Sequence, residues 1–367
     1  MLKQYKLKNY RFILVMLVMT LSTGGVLLVG SASPGDQKKQ LFGMISGLVI
    51  MLIVSLIDYS FILKFSLLIY LFSTALLGLV LVAGKDSKGA QRWFEIGGFR
   101  FQPSELVKIL MILFFAWYFM KFEEKINTLK VMVPAFLLIG VQLALIILQP
   151  NLSTTIILAI VFASIVYVAG INHKLVIGVL ITGIPGCLIL ITLIMQDMIP
   201  FIHRYQLGRI LAWLYPDEYP DLAYQQQNSI MAIGSGQLWG KGLGNDSPIS
   251  VKNGRFILEP QNDFIFAVAG EELGFTGTTI IIILLLFITI ECIFIAGKAK
   301  DTAGKLICSG MAALIGFQSI VNIGVASGLM PNTGVTLPFV SYGLTSLWSL
   351  YIGIGLVLNV GLQPKKY

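Results

Sequence analysis

Charge is what this chain most lacks. Asp, Glu, Lys and Arg make up 12% of its 367 residues against 56% hydrophobic, where soluble domains carry about a quarter charged. A water-soluble globular protein is thereby excluded. Cysteine and histidine are nearly as scarce. Cys187, Cys292 and Cys308 each sit in an apolar run with no paired spacing, so they read as small buried hydrophobes, neither a disulfide framework nor a metal site. His173 and His203 fall in separate loops and leave no His/Cys metal cluster. No internal repeat, heptad run or low-complexity tract is present either, which removes sequence support for an inverted-repeat transporter. The glycine clusters Gly234-Ser235-Gly236 and 240–244 do not open a helix after a strand, so a dinucleotide fingerprint is refused and turns are the default.

What is abundant is apolar sequence in runs near the roughly 20 residues a membrane-crossing helix needs, without the period-two alternation of barrel strands. Mean hydropathy is +0.84. The fold class is therefore an all-α polytopic membrane protein, read as one integral unit over 1–367. Ten spans are expected, near 11–30, 40–57, 61–83, 104–121, 131–149, 152–170, 174–195, 275–296, 305–327 and 343–362. The first follows a basic start and precedes Ser31-Ala32-Ser33, which resembles a cleavage site. Its run from Phe12 to Val29, 18 residues long, exceeds a signal h-region of about 7 to 15, so it is kept as an uncleaved span.

Placing the N-terminus inside puts 14 of the 26 Lys and Arg on short cytoplasmic pieces, the positive-inside pattern, with both termini cytoplasmic in a plasma membrane. The formal charge of +8 then reports topology and anionic lipid, with no nucleic-acid partner. Three polar loops share the outer face: 84–103, the long 196–262 and 328–342. In the first, Gly97-Gly98 reads as a turn between extended pieces at 92–96 and 99–102. The last, with two prolines and three glycines over 328–343, reads as backbone fixed at a membrane-level cavity.

Asp263 is the leading candidate residue. It closes the long polar segment and opens an apolar helix, a costly place for an acid. Asp263, Ala267, Gly270 and Gly274 share one helical face, whose small residues would admit a close neighbour. Pro103-Ser104 opens the fourth span, with Glu105 near its N-terminus and Lys108 three residues on, a spacing that lets them pair. That pair reads equally as structural or as part of a site. Trp93 reads as an interfacial anchor or, flanked by Arg92 and Glu95, as a binding residue. In the long loop Arg204, Arg209, Lys241, Lys252 and Arg255 are interleaved with Tyr205, Trp213, Tyr215, Tyr219 and Tyr224. The mixture suits an anionic headgroup with a sugar or apolar surface, and equally a loop lying on the bilayer.

Four blocks in order carry a resemblance. They are Gln-Arg-Trp-Phe at 91–94 with Gln-Pro-Ser-Glu-Leu-Val-Lys at 102–108, Ala-Ile-Gly-Ser-Gly-Gln-Leu-Trp-Gly-Lys-Gly-Leu at 232–243, Asp-Phe-Ile-Phe-Ala-Val-Ala-Gly-Glu-Glu-Leu-Gly-Phe at 263–275, and Pro-Asn-Thr-Gly-Val-Thr-Leu-Pro-Phe-Val-Ser-Tyr-Gly at 331–343. Together they resemble the SEDS family of shape, elongation, division and sporulation proteins, with a modest lean to the RodA type over the FtsW type. The resemblance implies ten GT-C-like spans and a peptidoglycan glycosyltransferase that polymerises lipid II at the outer membrane face beside a class B penicillin-binding protein. It places Asp263 on the family's essential aspartate, Trp93 on its outer-loop tryptophan, Glu105 and Lys108 on its charged pair, and Arg209 on the arginine before the Gly-Ser-Gly block. The chain departs at Leu258-Glu259-Pro260-Gln261-Asn262, which lacks the usual histidine before the aspartate, at Asn228 and at Leu344.

The chemistry fits these residue types. Transfer of a sugar from a lipid diphosphate with inversion needs one base and cations for the leaving group. Asp263 is the expected base, and Lys108, Arg209 and Lys241 the cations on the diphosphate. No cofactor is required; a divalent ion is compatible with this chemistry but has no assigned ligands. Rival readings are a precursor flippase and a noncatalytic scaffold for a penicillin-binding protein. Against transport, the charged residues cluster at the outer ends of the spans.

Overall fold

The computed structural model describes residues 9–87, 90–96, 99–172, 204–245 and 256–363, together with 248, 250, 253 and 254. The expected span at 174–195, the Gly97-Gly98 turn, Cys187, His173, His203, Lys252 and Arg255 lie outside the described residues.

Among the described residues nine helices are long and apolar enough to cross a membrane. In chain order, α1 is Phe12–Ala32, α2 Pro34–Leu56, a single turn α3 Tyr59–Ile62, α4 Ser66–Ala83, α5 Pro103–Lys121, α6 Leu129–Leu148 and α7 Leu152–Ala169. Then come α8 Arg204–Leu214, α9 Pro220–Ser235, α10 Ile265–Gly297, α11 Thr302–Ala326 and α12 Leu344–Leu362. The spans agree with the apolar runs to within a few residues, with two exceptions: α2 opens six residues earlier than expected, at Pro34, and α10 begins ten residues early.

α5 and α12 are the most enclosed, each with 78% of its spanning window buried, against 28% for α2. A bilayer supplies no hydrophobic drive between helices, so close packing must hold them. α2 supplies it with small residues: a Cβ on Gly47 would stand 2.2 Å from the Tyr351 ring of α12, and one on Gly355 of α12 2.8 Å from the Met51 carbonyl. Tyr351 is fully buried and donates its hydroxyl to Ser22 of α1 at 2.8 Å.

The connection between α4 and α5 is a three-stranded antiparallel meander, with β1 Lys85–Ser87, β2 Ala90–Ile96 and β3 Phe99–Phe101 in that order. Glu95 stands opposite Arg100 and Trp93 opposite Lys85. The long polar segment holds two helices, α8 and α9, which its composition had not announced. α9 docks on the end of α11, where a helix leaves four carbonyls without intrahelical partners, while α8 bonds to the chain just beyond it. Gln226 of α9 donates to Val325 O at 2.8 Å and Ser229 to Ala326 O at 2.7 Å, while the Ser327 and Met330 amides take Ile323 O and Gly324 O. Every orphan carbonyl of α11 is thereby satisfied, and α9 is fixed to the bundle.

α10 is interrupted at Gly274, whose φ of 65° and ψ of −164° are not helical. The interruption separates Ile265–Leu273 from the spanning part that follows, which is why the helix starts earlier than hydropathy suggested. The freed backbone groups pair with the Gly-Ser-Gly-Gln-Leu-Trp-Gly-Lys-Gly stretch. Phe275 and Thr276 donate to Gln237 O and Leu238 O at 2.8 and 3.1 Å, and Lys241 and Gly242 donate to Glu271 O and Glu272 O at 2.9 Å each. Only glycine fits here, since a Cβ on Gly274 would lie 2.3 Å from the Gly240 nitrogen.

Candidate functional site

α5 enters the bundle through Pro103, whose missing N–H costs nothing in a first turn. One turn on, Lys108 lies on the same face as Glu105, and their charged atoms meet at 3.0 Å, both largely buried. Lys108 also donates to Gln318 Oε1 of α11 at 2.9 Å. Gln318 in turn donates to the carbonyl and hydroxyl of Thr336, at 3.0 and 3.2 Å. Asn322, one turn further along α11, donates to Val335 O at 2.6 Å and to the main-chain carbonyl of Asp263 at 2.8 Å. A polar ladder on one helix face thus fixes both the 331–337 segment and the residue that precedes α10.

Asp263 is partly buried, and its carboxylate turns toward that segment. A Cβ built on Gly334 would stand 3.3 Å from Asp263 Oδ2 and 3.8 Å from Arg209 Nη1. Gly334 has φ of 73°, the left-handed region that glycine enters without penalty. Arg209, on α8, also donates from Nη1 to Asn332 O at 3.2 Å, and Trp213 of the same helix donates to Gly328 O at 2.8 Å. One carboxylate and one guanidinium therefore converge on a bare stretch of backbone at the end of the bundle where α5 and α12 begin and α11 stops. A second bracing comes from Arg92, which donates to Gln149 O at 2.8 Å and to Pro150 O, tying β2 to the turn before α7. Ser153 of α7 donates to Thr333 O.

The six residues singled out from the sequence do not form one cluster. Asp263 and Arg209 are together at Gly334. Glu105 and Lys108 are joined to them only through Gln318, Thr336 and the loop; the Lys108 side chain is 3% exposed, so it supports the site from below. Trp93 is half-buried on β2, where alternation sends it away from the side on which Arg92 is anchored, and no hydrogen bond ties it to the Asp263 group. Lys241 is not brought to this group. Its ammonium lies 2.8 Å from Glu271 Oε1, eight residues along from Asp263, about 12 Å at the helical rise. The glycine stretch around it serves the interruption of α10.

Sequence reasoning passed over Gln318 and Asn322. Two amides four residues apart inside an apolar span were a readable signal, because polar groups at that depth must find partners. Among the described residues no three His, Cys, Asp or Glu side chains gather as a metal cage.

Comparison with known proteins agrees with this architecture. The family model described as cell cycle protein, that of FtsW, RodA and SpoVE, matches residues 6–366. The chain is 32% identical over 376 residues to a probable peptidoglycan glycosyltransferase FtsW of Geobacter sp. (strain M18), covering 98% of this chain and 99% of that one. It is likewise 32% identical to the protein of that name from Bacillus subtilis (strain 168), with 98% and 92% covered. Among solved structures it matches a chain of a peptidoglycan synthase complex with a TM-score of 0.79 at 29% identity, covering 96% and 97%. It matches the rod shape determining protein RodA of Thermus thermophilus with a TM-score of 0.70 at 28% identity, covering 98% of each. Relatives of both types match, so the lean toward the RodA type is not resolved. The multi-pass bundle and the four ordered blocks have the same explanation: the chain belongs to the FtsW, RodA and SpoVE family of cell cycle proteins, the SEDS family.

Proposed function

We propose that this protein is a peptidoglycan glycosyltransferase that polymerises lipid II at the outer face of the cytoplasmic membrane, with Asp263 as general base. The observation that carries the reading is the convergence of Asp263 Oδ2 and Arg209 Nη1 on Gly334, which sets a proton acceptor beside a cation at the outer ends of the spans. An acceptor sugar hydroxyl attacks the anomeric carbon of the donor. Its proton passes to the Asp263 carboxylate, the bond from that carbon to the phosphate oxygen breaks, and the prenyl diphosphate leaves with the electron pair. Inversion follows from the single displacement.

Arg209 suits the departing diphosphate through its planar fork. Glu105 and Lys108 hold Gln318 and hence the 331–337 loop, a supporting role that replaces the direct diphosphate contact expected of Lys108. Trp93 shapes the approach from the meander, and Lys241 steadies the α10 interruption. The density of Lys and Arg on the short loops supports cytoplasmic termini. A class B penicillin-binding protein is the expected partner for crosslinking, in keeping with the match to a synthase complex. Purified protein in liposomes with lipid II and such a transpeptidase should yield glycan resolvable on a gel; transport of lipid II without polymer would favour a flippase instead.

A further inference from the structure

The opposite end of the bundle, far from Asp263, holds a second polar feature. A cavity of about 420 Å³ opens between the start of α1, the end of α10 and the end of α12, lined by Tyr10, Arg11, Phe12, Ile295, Lys298 and Gly361 among others. Arg11 and Lys298 both stand over the ring of Phe294, at 4.4 and 4.0 Å from its centre. The two cations are therefore within about 9 Å of each other, close enough to repel in a poorly screened site. Among the described residues no carboxylate forms an ion pair with either. The nearest acid on α10, Glu291, is seven residues back from Lys298, about 10 Å along the helix, and does not line the cavity. Tyr10 also lines the cavity, and its hydroxyl is buried with no hydrogen-bond partner among the described residues.

The sequence deepens the bias. No Asp or Glu occurs before Asp36 or after Asp301, while Lys3, Lys6, Lys8, Lys365 and Lys366 flank the lining residues along the chain. Beside the cavity the surface turns apolar, with Phe12 65%, Ile13 60%, Ile293 57% and Phe294 44% exposed. Two cations, a free hydroxyl and an adjoining apolar strip match a phosphate diester carrying acyl chains. A zwitterionic headgroup brings its own cation and would compete with Arg11 and Lys298, so net negative charge is required.

We propose that this cavity is a binding site for an anionic phospholipid of the leaflet at the end of the bundle where α1 begins and α12 stops, with Arg11 and Lys298 on the phosphate, Tyr10 donating to it, and the acyl chains along Phe12, Ile13 and Ile293. Occupation joins α1, α10 and α12 at the end remote from the outer site. The site takes the place of a counter-ion that none of the described residues provides as an ion pair.

The test uses the full chain in detergent micelles, titrated with dioleoylphosphatidylglycerol, dioleoylphosphatidylcholine or glycerol 3-phosphate and followed by native mass spectrometry and by Tm. Phosphatidylglycerol should be retained and raise Tm, while the other two should not. The double variant Arg11→Gln/Lys298→Gln should bind phosphatidylglycerol on the order of tenfold more weakly, about what two cations near an anionic headgroup contribute. Tyr10→Phe, which removes one oxygen and keeps the ring, should weaken binding a few-fold with an unchanged lipid-free Tm. Lys125→Gln/Lys130→Gln, two exposed lysines at the α5–α6 connection and the first turn of α6 on the same end, should change nothing. Equal retention by wild type and the Arg11/Lys298 variant, an equal loss in the Lys125/Lys130 control, or equally good binding of glycerol 3-phosphate would each overturn the proposal.

Discussion

Asp263 and Arg209 approach the same point from different elements: Asp263 Oδ2 comes from the entrance of α10 and Arg209 Nη1 from α8, 3.3 and 3.8 Å from where Gly334 would carry a Cβ. Space for a reacting group at that point depends on a side chain being absent. Gly334→Ala places a methyl there and asks an L-residue to hold a φ of 73°, which costs roughly 1–2 kcal/mol. We expect a small fall in Tm with polymerisation down roughly ten- to hundredfold, since a misplacement of about 1 Å at a reacting centre costs up to about a hundredfold. Unchanged activity would mean that substrate does not pass over Gly334.

The Glu105–Lys108 pair is nearly closed to water, and removing one partner of such a pair costs about 3–5 kcal/mol. Lys108→Met should therefore lower Tm sharply, and Glu105→Gln/Lys108→Met should restore much of the loss because no charge is left stranded. If the double variant regains stability and a measurable part of its activity, Lys108 supports the loop. Restored stability with activity still abolished would place its ammonium on substrate.

Gly274→Ala collides with the Gly240 nitrogen at 2.3 Å and strains a positive φ. The Gln237–Gly242 stretch should come away from α10, seen as faster proteolysis near Leu243 and a lower Tm. Protection equal to wild type would contradict the pairing described for this interruption.

At the other end of the bundle, Asp58 accepts hydrogen bonds from Ser60 N at 2.9 Å and Gln363 Nε2 at 3.2 Å. Desolvation pushes its carboxyl up, but the Ser60 and Gln363 bonds and the charge of Lys300 outweigh it, leaving the group below its usual value. A depressed folded value contributes stability that is complete above the unfolded carboxyl value, about 3.9, and is lost as pH falls through the folded one. Tm should therefore drop below about pH 4, and Asp58→Asn should flatten that acid limb without changing its neutral-pH slope.

The membrane helices were legible because apolar length is a local property: α5, α6, α7 and α12 start and stop within two residues of where hydropathy places them. The Glu105–Lys108 pair followed from spacing alone. A helix opening just after Asp263 was readable, but its interruption at Gly274 was not: the sequence reading ran one helical face straight through Gly274, where the backbone is not helical. The break exists through backbone pairing with residues thirty to thirty-eight positions away, a tertiary effect. Lys241 misled for the same reason: its basic, glycine-rich setting looks like an anion cradle, and only the fold reveals Glu271 opposite it. Helices α8 and α9 were obscured by their polar and aromatic composition, although Pro220 at the head of α9 was an available start signal.

The central claim is that a single carboxylate accepts the acceptor proton, and the direct measurement is the initial rate of lipid II polymerisation by Asp263→Asn, reconstituted beside wild type with the same transpeptidase. Asparagine preserves shape and removes the base, so the rate should fall by about 10²–10⁴ while Tm stays close to wild type. Polymer formed at the wild-type rate would contradict the account.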